Sequence, residues 1–360
     1  MSRKVKNLVA LSLPVQIILI QWVAGHPAWV EQYYSRGVYP GISTFFRFLY
    51  GWIPFSVGDI CYFLLGAGAI LYLIRKWHWI RHHIWLFLRD VVMVFAVVHF
   101  TFYLLWGMNY FRQPLSVALG YQNAYSTEEI TKLTQLLAVK TNLLQEALTG
   151  DTLQPVAMPY SRSEILHKTV KGYRELEQEY PHFRYSHPSL KPSLFSTALS
   201  YMGYGGYLNP FTLEAQVNKR LPGFRYPVVC GHEVGHQLGY SAENETNFIG
   251  YLVTLRNPDP YFQYSAYAYA LSYCLSEVSQ RDPDALKAIR KTLNPGVRAN
   301  FKELREFWKG FENPLEPVFK SAFNKYLEVN RQKDGIRSYN RVVSLMVAYH
   351  RKEPVELHSP

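Results

Sequence analysis

Three long apolar runs, at 8–24, 57–74 and 91–108, dominate the first third of the chain, and a shorter-period mixture of apolar and polar positions follows them. Each run approaches the ~20 residues that carry a helix across a hydrocarbon core. Trp and Tyr residues flank them, as suits membrane–water boundaries. Pro14, Gln16 and Gln21 interrupt the first run, Asp59 lies near the start of the second, and His99 falls inside the third. His99 is expected to hydrogen-bond a neighbouring helix. The first run reads as an uncleaved anchor, because the small-residue cleavage signal near Ala24 and Gly25 is weak.

Basic residues set the expected orientation. Arg3, Lys4 and Lys6 precede the first run, and Arg75, Lys76, Arg81 and Arg89 separate the second from the third. Only Arg36 and Arg47 lie between the first and second. The positive-inside rule then puts the N-terminus and the second connection in the cytoplasm, and everything after Met108 outside. The chain divides into a transmembrane region, 1–110, and an extracytoplasmic domain, 111–360. His78, His82 and His83 read as part of an interfacial basic–aromatic segment rather than a metal site.

In the domain, Ser126 with Glu129 and Ser161 with Glu164 have capping-box spacing. They predict one helix to about Leu148 and another that stops before Pro181. The small, aromatic and glycine-rich stretch 194–218 predicts one or two strands with a turn at Gly205 and Gly206. After Phe224 the pattern is helical almost to the end, with Asp282 and Pro283 as a helix start. Tyr261, Tyr264, Tyr267, Tyr269 and Tyr273 read as helix-packing residues. The expected fold is α+β and mainly helical, with three transmembrane helices before a domain with a small sheet.

Composition adds little to this pattern. A net charge of +11 over 360 residues comes with no nucleic-acid motif and suits basic flanks beside anionic lipid. No nucleic-acid partner is expected; the lipid bilayer is. Three cysteines cannot form a disulfide framework, although one Cys230–Cys274 bridge fits an oxidising compartment. Oligomeric state is left open.

The chemistry is concentrated in CGHEVGHQLGYSAENETNF, 230–248. His232 and His236 are four residues apart, so a helix puts both imidazoles on one face, with Glu233 angled beside them as a base. Pro227 suits the first turn of that helix, and Gly239 its end. Ser241 is placed to cap a second helix running to about Arg256. Two histidines alone bind zinc weakly, so a third ligand is needed from that second helix. Glu243 and Glu245 are the candidates. Glu243 has Asn247 one turn on as a supporting hydrogen-bond partner, whereas Glu245 has Ile249, which favours Glu243. Glu245 remains the alternative.

The E-x-E-x-N-F stretch after HExGH resembles the metal site of gluzincin metallopeptidases, in which a glutamate on a following helix completes two histidines. More closely, IPFSVGD (53–59), GGYLNPFTLEAQVN (205–218) and HEVGHQLGYSAENETNFIGYL (232–252) resemble a bacterial membrane family catalogued as domain of unknown function 3810. That family is grouped with zincin-like peptidases. The resemblance implies a zincin-like domain, one zinc ion per chain and a place in the bacterial cytoplasmic membrane. Two departures stand beside it. The connection from His236 to Glu243 is shorter than in better-known gluzincins, and a metzincin third ligand would fall on Ala242, which cannot coordinate.

The expected activity is zinc-dependent peptide hydrolysis, with a peptide or protein as substrate. Zinc lowers the pKa of a water, and Glu233 takes its proton as it attacks. Tyr339, Arg341 and His350 are candidate donors to the oxyanion. The 194–218 strand region could hold an extended peptide by β-addition. The competing reading is a non-catalytic membrane protein whose zincin-like domain binds a partner or senses metal. Intact Glu233 favours the enzyme, because a binding domain needs no general base. A zinc hydrolase acting on a non-peptide amide is a third reading that sequence does not separate from the first.

Overall fold

The computed structural model describes residues 1–332 and 341–357. Three of its helices are long and apolar enough to cross a membrane, and they associate the protein with one: α1 (Arg3–Val23), α3 (Val57–His82) and α4 (Ile84–Leu105). α1 and α4 start before the apolar runs that predicted them and stop one and three residues short of their ends. α3 starts with its run and continues eight residues beyond it. Backbone hydrogen bonding continues through Arg3–Asn7 and Arg75–His82, so polar flanks stay helical while only the apolar part faces hydrocarbon. Ser2 and Ser56 cap α1 and α3 through their side-chain oxygens. His99 shares a hydrogen bond of 3.0 Å with Gln16, which joins α4 to α1 as expected. Between the first two spans a π-helical turn, Val30–Val38, leads into α2 (Tyr39–Tyr50), which the apolar pattern did not predict.

Both capping boxes form, opening α5 (Thr127–Thr149) and α6 (Arg162–Glu179). The strand region is more helical than its composition predicts. After β1 (Leu190–Pro192), the residues read as strand instead form α7 (Ser196–Met202), closed by Gly203 at φ +79°. Ser, Ala and Leu fill this short helix, and a left-handed glycine terminates it. β2 (Gly206–Leu208) and β3 (Ala215–Val217) follow, so Gly206 starts a strand and the turn lies at 209–214. Strand order is β1-β3-β2, with β3 parallel to β1 and antiparallel to β2, so β2 is an edge.

The rest is helical: α8 (Tyr226–Gln237), α9 (Glu243–Leu255), α10 (Pro260–Arg281), α11 (Pro283–Thr292), α12 (Pro295–Lys309), α13 (Glu316–Val329) and α14 (Val342–Lys352). The main core lies where α9 and α10 meet α5 and α14, around Phe248, Tyr251, Tyr264 and Met346. Tyr264, Tyr267 and Tyr269 are buried there. All three cysteines are free, so Cys230 and Cys274 are not bridged.

Two buried acidic residues, Glu214 and Asp59, serve one joint. Glu214, next to β3, accepts hydrogen bonds from the Val57 and Gly58 backbone at the start of α3 (3.1 and 2.5 Å), from Lys191 (2.5 Å) and from Thr212 (2.8 Å). A carboxylate at a helix N-terminus answers both the free N–H groups and the dipole. Asp59, in the first turn of α3, accepts from Ser193, from the Leu194 backbone and from Tyr207 on β2. The sheet and the second span are thereby tied together.

Candidate metal centre

Helix α8 carries His232, Glu233 and His236, whose possible ligand atoms all lie within 4.8 Å of one another. Among the described residues no other such group occurs. Pro227 occupies the first turn of α8 as expected, and Gly239, at φ +89°, turns the chain at its end. Ser241 does not cap α9. Its hydroxyl donates to the Asn109 carbonyl, and Ala242 takes the N-cap position.

The α8–α9 crossing sets the spacing of the ligands. Gly231 and Gly250 face each other: a Cβ at Gly231 would lie 3.1 Å from Gly250, and one at Gly250 would lie 2.7 Å from the Val228 carbonyl. That approach brings the Glu243 carboxylate to 3.5 Å from His232 Nε2 and 3.7 Å from His236 Nε2. Two ligands held about 2.05 Å from a tetrahedral zinc are about 3.3 Å apart. The three groups therefore fit a metal with little adjustment. Gly250→Ala is expected to cost about 1–3 kcal/mol by overpacking and to weaken zinc binding in chelator competition. Unchanged zinc affinity in that variant would show that the crossing does not set the ligand spacing.

The histidines are presented in the right form. The Tyr240 carbonyl can only accept, so His236 Nδ1 donates to it at 2.8 Å and leaves Nε2 with a free lone pair. His232 is held well below the ordinary imidazole range by burial and by His236, although a hydrogen bond with Asn247 works the other way. Asn247 in turn accepts from Tyr269 at 2.6 Å. Asn247, one turn on from Glu243, therefore stands beside His232 and is itself held by Tyr269.

Glu233 stands beside the two histidines. It is buried, its Oε2 lacks a hydrogen-bond partner among the described residues, and burial together with the Glu243 charge raises its pKa well above the usual carboxylate range. Its Oε1 lies against Gly206 on β2, where a Cβ would come within 2.5 Å. Glu245 points away from the histidines. It accepts from the Leu115 backbone at 2.7 Å, and burial pushes its carboxyl up to about 7 although that bond and Arg112 act to lower it.

The C-terminal carbonyls of α8 would be orphaned in a dry interior. Trp106, just past α4, donates to the His236 carbonyl at 2.9 Å, and Tyr39 and Ser43 of α2 donate to that of Gln237 at 2.8 Å each. The membrane-proximal part thus holds the helix that carries the two histidines directly. These three residues escaped sequence reasoning: Trp106 lies inside the third apolar run, and no motif marks Tyr39 or Ser43.

The site opens into a cavity of about 1140 Å³. β2 forms one wall, and Tyr269 and Tyr273 lie in another, so those two do more than pack. Neither Arg341 nor His350 lines this cavity. Arg341 borders a different one beside Glu245, and His350 pairs with Tyr251 at 2.6 Å and with the Glu353 carbonyl at 2.8 Å. Tyr339 lies outside the described residues. Arg225, Tyr204 and Tyr110 line the cavity instead: Arg225 is close enough to bias His232, and both tyrosines feel the Glu243 charge. No short motif marks these three residues.

No curated protein and no solved structure matches the chain. The family model described as Protein of unknown function (DUF3810) matches residues 34–347, which takes in the second and third spans, the sheet, α8 and α9. This chain belongs to the DUF3810 family.

Proposed function

We propose that the protein is a membrane-anchored zinc metallopeptidase with a zincin-like domain, held with its N-terminus in the cytoplasm and its domain outside. The reading is carried by one observation: Glu243 sits within 3.5–3.7 Å of both free imidazole nitrogens, with Glu233 beside them. Zinc at that point would polarise a carbonyl and acidify a water. Glu233 would take the proton of the attacking water and deliver it to the leaving amine. Tyr204 and Arg225 are the donors best placed for the carbonyl oxygen as it gains charge. The free edge of β2, beside Glu233, suits an extended peptide. The basic residues flanking α1 and joining α3 to α4 support the orientation.

Elemental analysis of the purified full chain tests this. Wild type and Glu245→Ala are expected to hold roughly one zinc per chain, and His236→Ala and Glu243→Ala to lose it. A folded wild type that takes up no zinc even after reconstitution would overturn the reading in favour of a non-catalytic domain.

A further inference from the structure

The cavity holding His232, Glu233, His236 and Glu243 is not walled by the domain alone. Tyr62, in α3, and Phe102, in α4, also line it. At 1.5 Å per residue, Tyr62 lies about 8 Å along α3 from its first residue, and Phe102 about 5 Å from the end of α4. The catalytic cavity therefore reaches the ends of two spans.

Beneath it the spans are unevenly packed. α1 and α4 form a pair, joined by His99 and Gln16 and by Lys6 and Asp90 at 2.8 Å. α3 meets α4 at the turn through His83, and between Phe63 and His78 it buries no residue. Phe63, Leu64 and Leu65 are each at least 62% exposed, and successive positions are about 100° apart, so no side of α3 is covered. Within this stretch Gly66 and Gly68 have nothing within 4 Å of a Cβ. Small residues of that kind let a second helix approach closely in a bilayer.

Two further features tie this open helix to the chemistry. Tyr207 of the edge strand β2 donates to Asp59 in the first turn of α3, so the peptide-binding edge and the start of the span are fixed to each other. Large apolar side chains are exposed on elements next to the cavity: Tyr201 on α7 and Val318 on α13, two helices that each give other residues to its lining, and Trp52 and Phe55 ahead of α3. Exposed aromatic and apolar residues of that kind suit the membrane interface.

We infer that the site takes a membrane-anchored polypeptide, whose apolar anchor helix lies against the uncovered stretch of α3 that begins at Phe63 and whose adjoining extended segment runs along β2 to His232 and His236. The inference rests on the peptidase reading above. The reaction is hydrolysis: water adds across the C–N bond, leaving a carboxylate on one fragment and an amine on the other.

The test uses the full chain in phosphatidylcholine–phosphatidylglycerol vesicles, with one degenerate fluorogenic peptide library in three forms: soluble, palmitoylated, and fused to an apolar transmembrane helix. The palmitoyl form controls for enrichment at the membrane. The helix-fused form is expected to be cleaved at least ~10-fold faster than the palmitoylated one. Equal rates for those two would overturn the inference while leaving the peptidase reading intact, whereas no cleavage of any form by zinc-loaded protein would sink the peptidase reading. In a Glu233→Gln background, a photo-crosslinker at position 63 is expected to capture the helix-fused probe, and one at position 11 of α1 is not. Adducts from position 63 only to lipid or to a second copy of the chain would overturn the anchor assignment.

Discussion

Glu233→Gln is expected to keep roughly one zinc per chain and to lose ~10²–10⁴-fold in peptide turnover. The substitution is nearly isosteric, and burial together with the adjacent Glu243 carboxylate raises the Glu233 pKa well above the usual carboxylate range, which favours the neutral form in the metal-free chain. A glutamine amide therefore replaces a neutral carboxyl of the same shape, against the same Gly206 backbone, and the fold should not suffer. Beside a bound dication the same carboxyl releases its proton and becomes the base, which glutamine cannot do. Turnover of the soluble peptide library, measured beside zinc content, separates the possibilities. Loss of both zinc and turnover would make Glu233 a ligand. Retention of both would mean that the base is another residue.

The second large effect lies at the joint between sheet and membrane. Glu214→Ala leaves Lys191, only 3% exposed, without its charge partner and strips the start of α3 of its acceptor. Removing one member of a buried ion pair costs about 3–5 kcal/mol, which for a domain of this size lowers Tm by on the order of 10 °C. The double variant Glu214→Leu with Lys191→Met removes both charges and should recover much of that loss, because a desolvated pair is replaced by apolar groups of similar size. A thermal melt of the detergent-solubilised chain checks both. If Glu214→Ala melted with wild type, the pair would be structurally idle and the joint would rest on Asp59 alone.

Much of this architecture was readable in one dimension because the responsible physics is local. Spans α1, α3 and α4 announce themselves through length and lack of charge, since a single apolar helix satisfies its own backbone hydrogen bonds in lipid. Ser126 with Glu129 and Ser161 with Glu164 needed only their own backbone to form capping boxes. The juxtaposition of His232 with His236 follows from helix geometry, and the expectation that Glu243 rather than Glu245 lies beside them came from one further turn of helix. Where the local signal was weak it misled: 196–202 has small and aromatic residues that suit either state, and a glycine C-cap decided for helix. Ser241 had the right chemistry for a cap, but the Asn109 carbonyl, distant in sequence, claimed its hydroxyl.

By itself, then, the sequence determined the apolar helices, the two capping-box starts and the helix that carries His232, Glu233 and His236, because each depends on neighbours within a turn or two. Only the tertiary structure decided that Gly231 and Gly250 let two helices cross closely enough to bring Glu243 to the histidines. It also decided that Trp106, Tyr39 and Ser43 hold the end of that helix, and that Tyr62 and Phe102 bring the membrane spans to the edge of the cavity. Those outcomes depend on contacts between residues as much as 198 positions apart, and no periodicity or short motif encodes them.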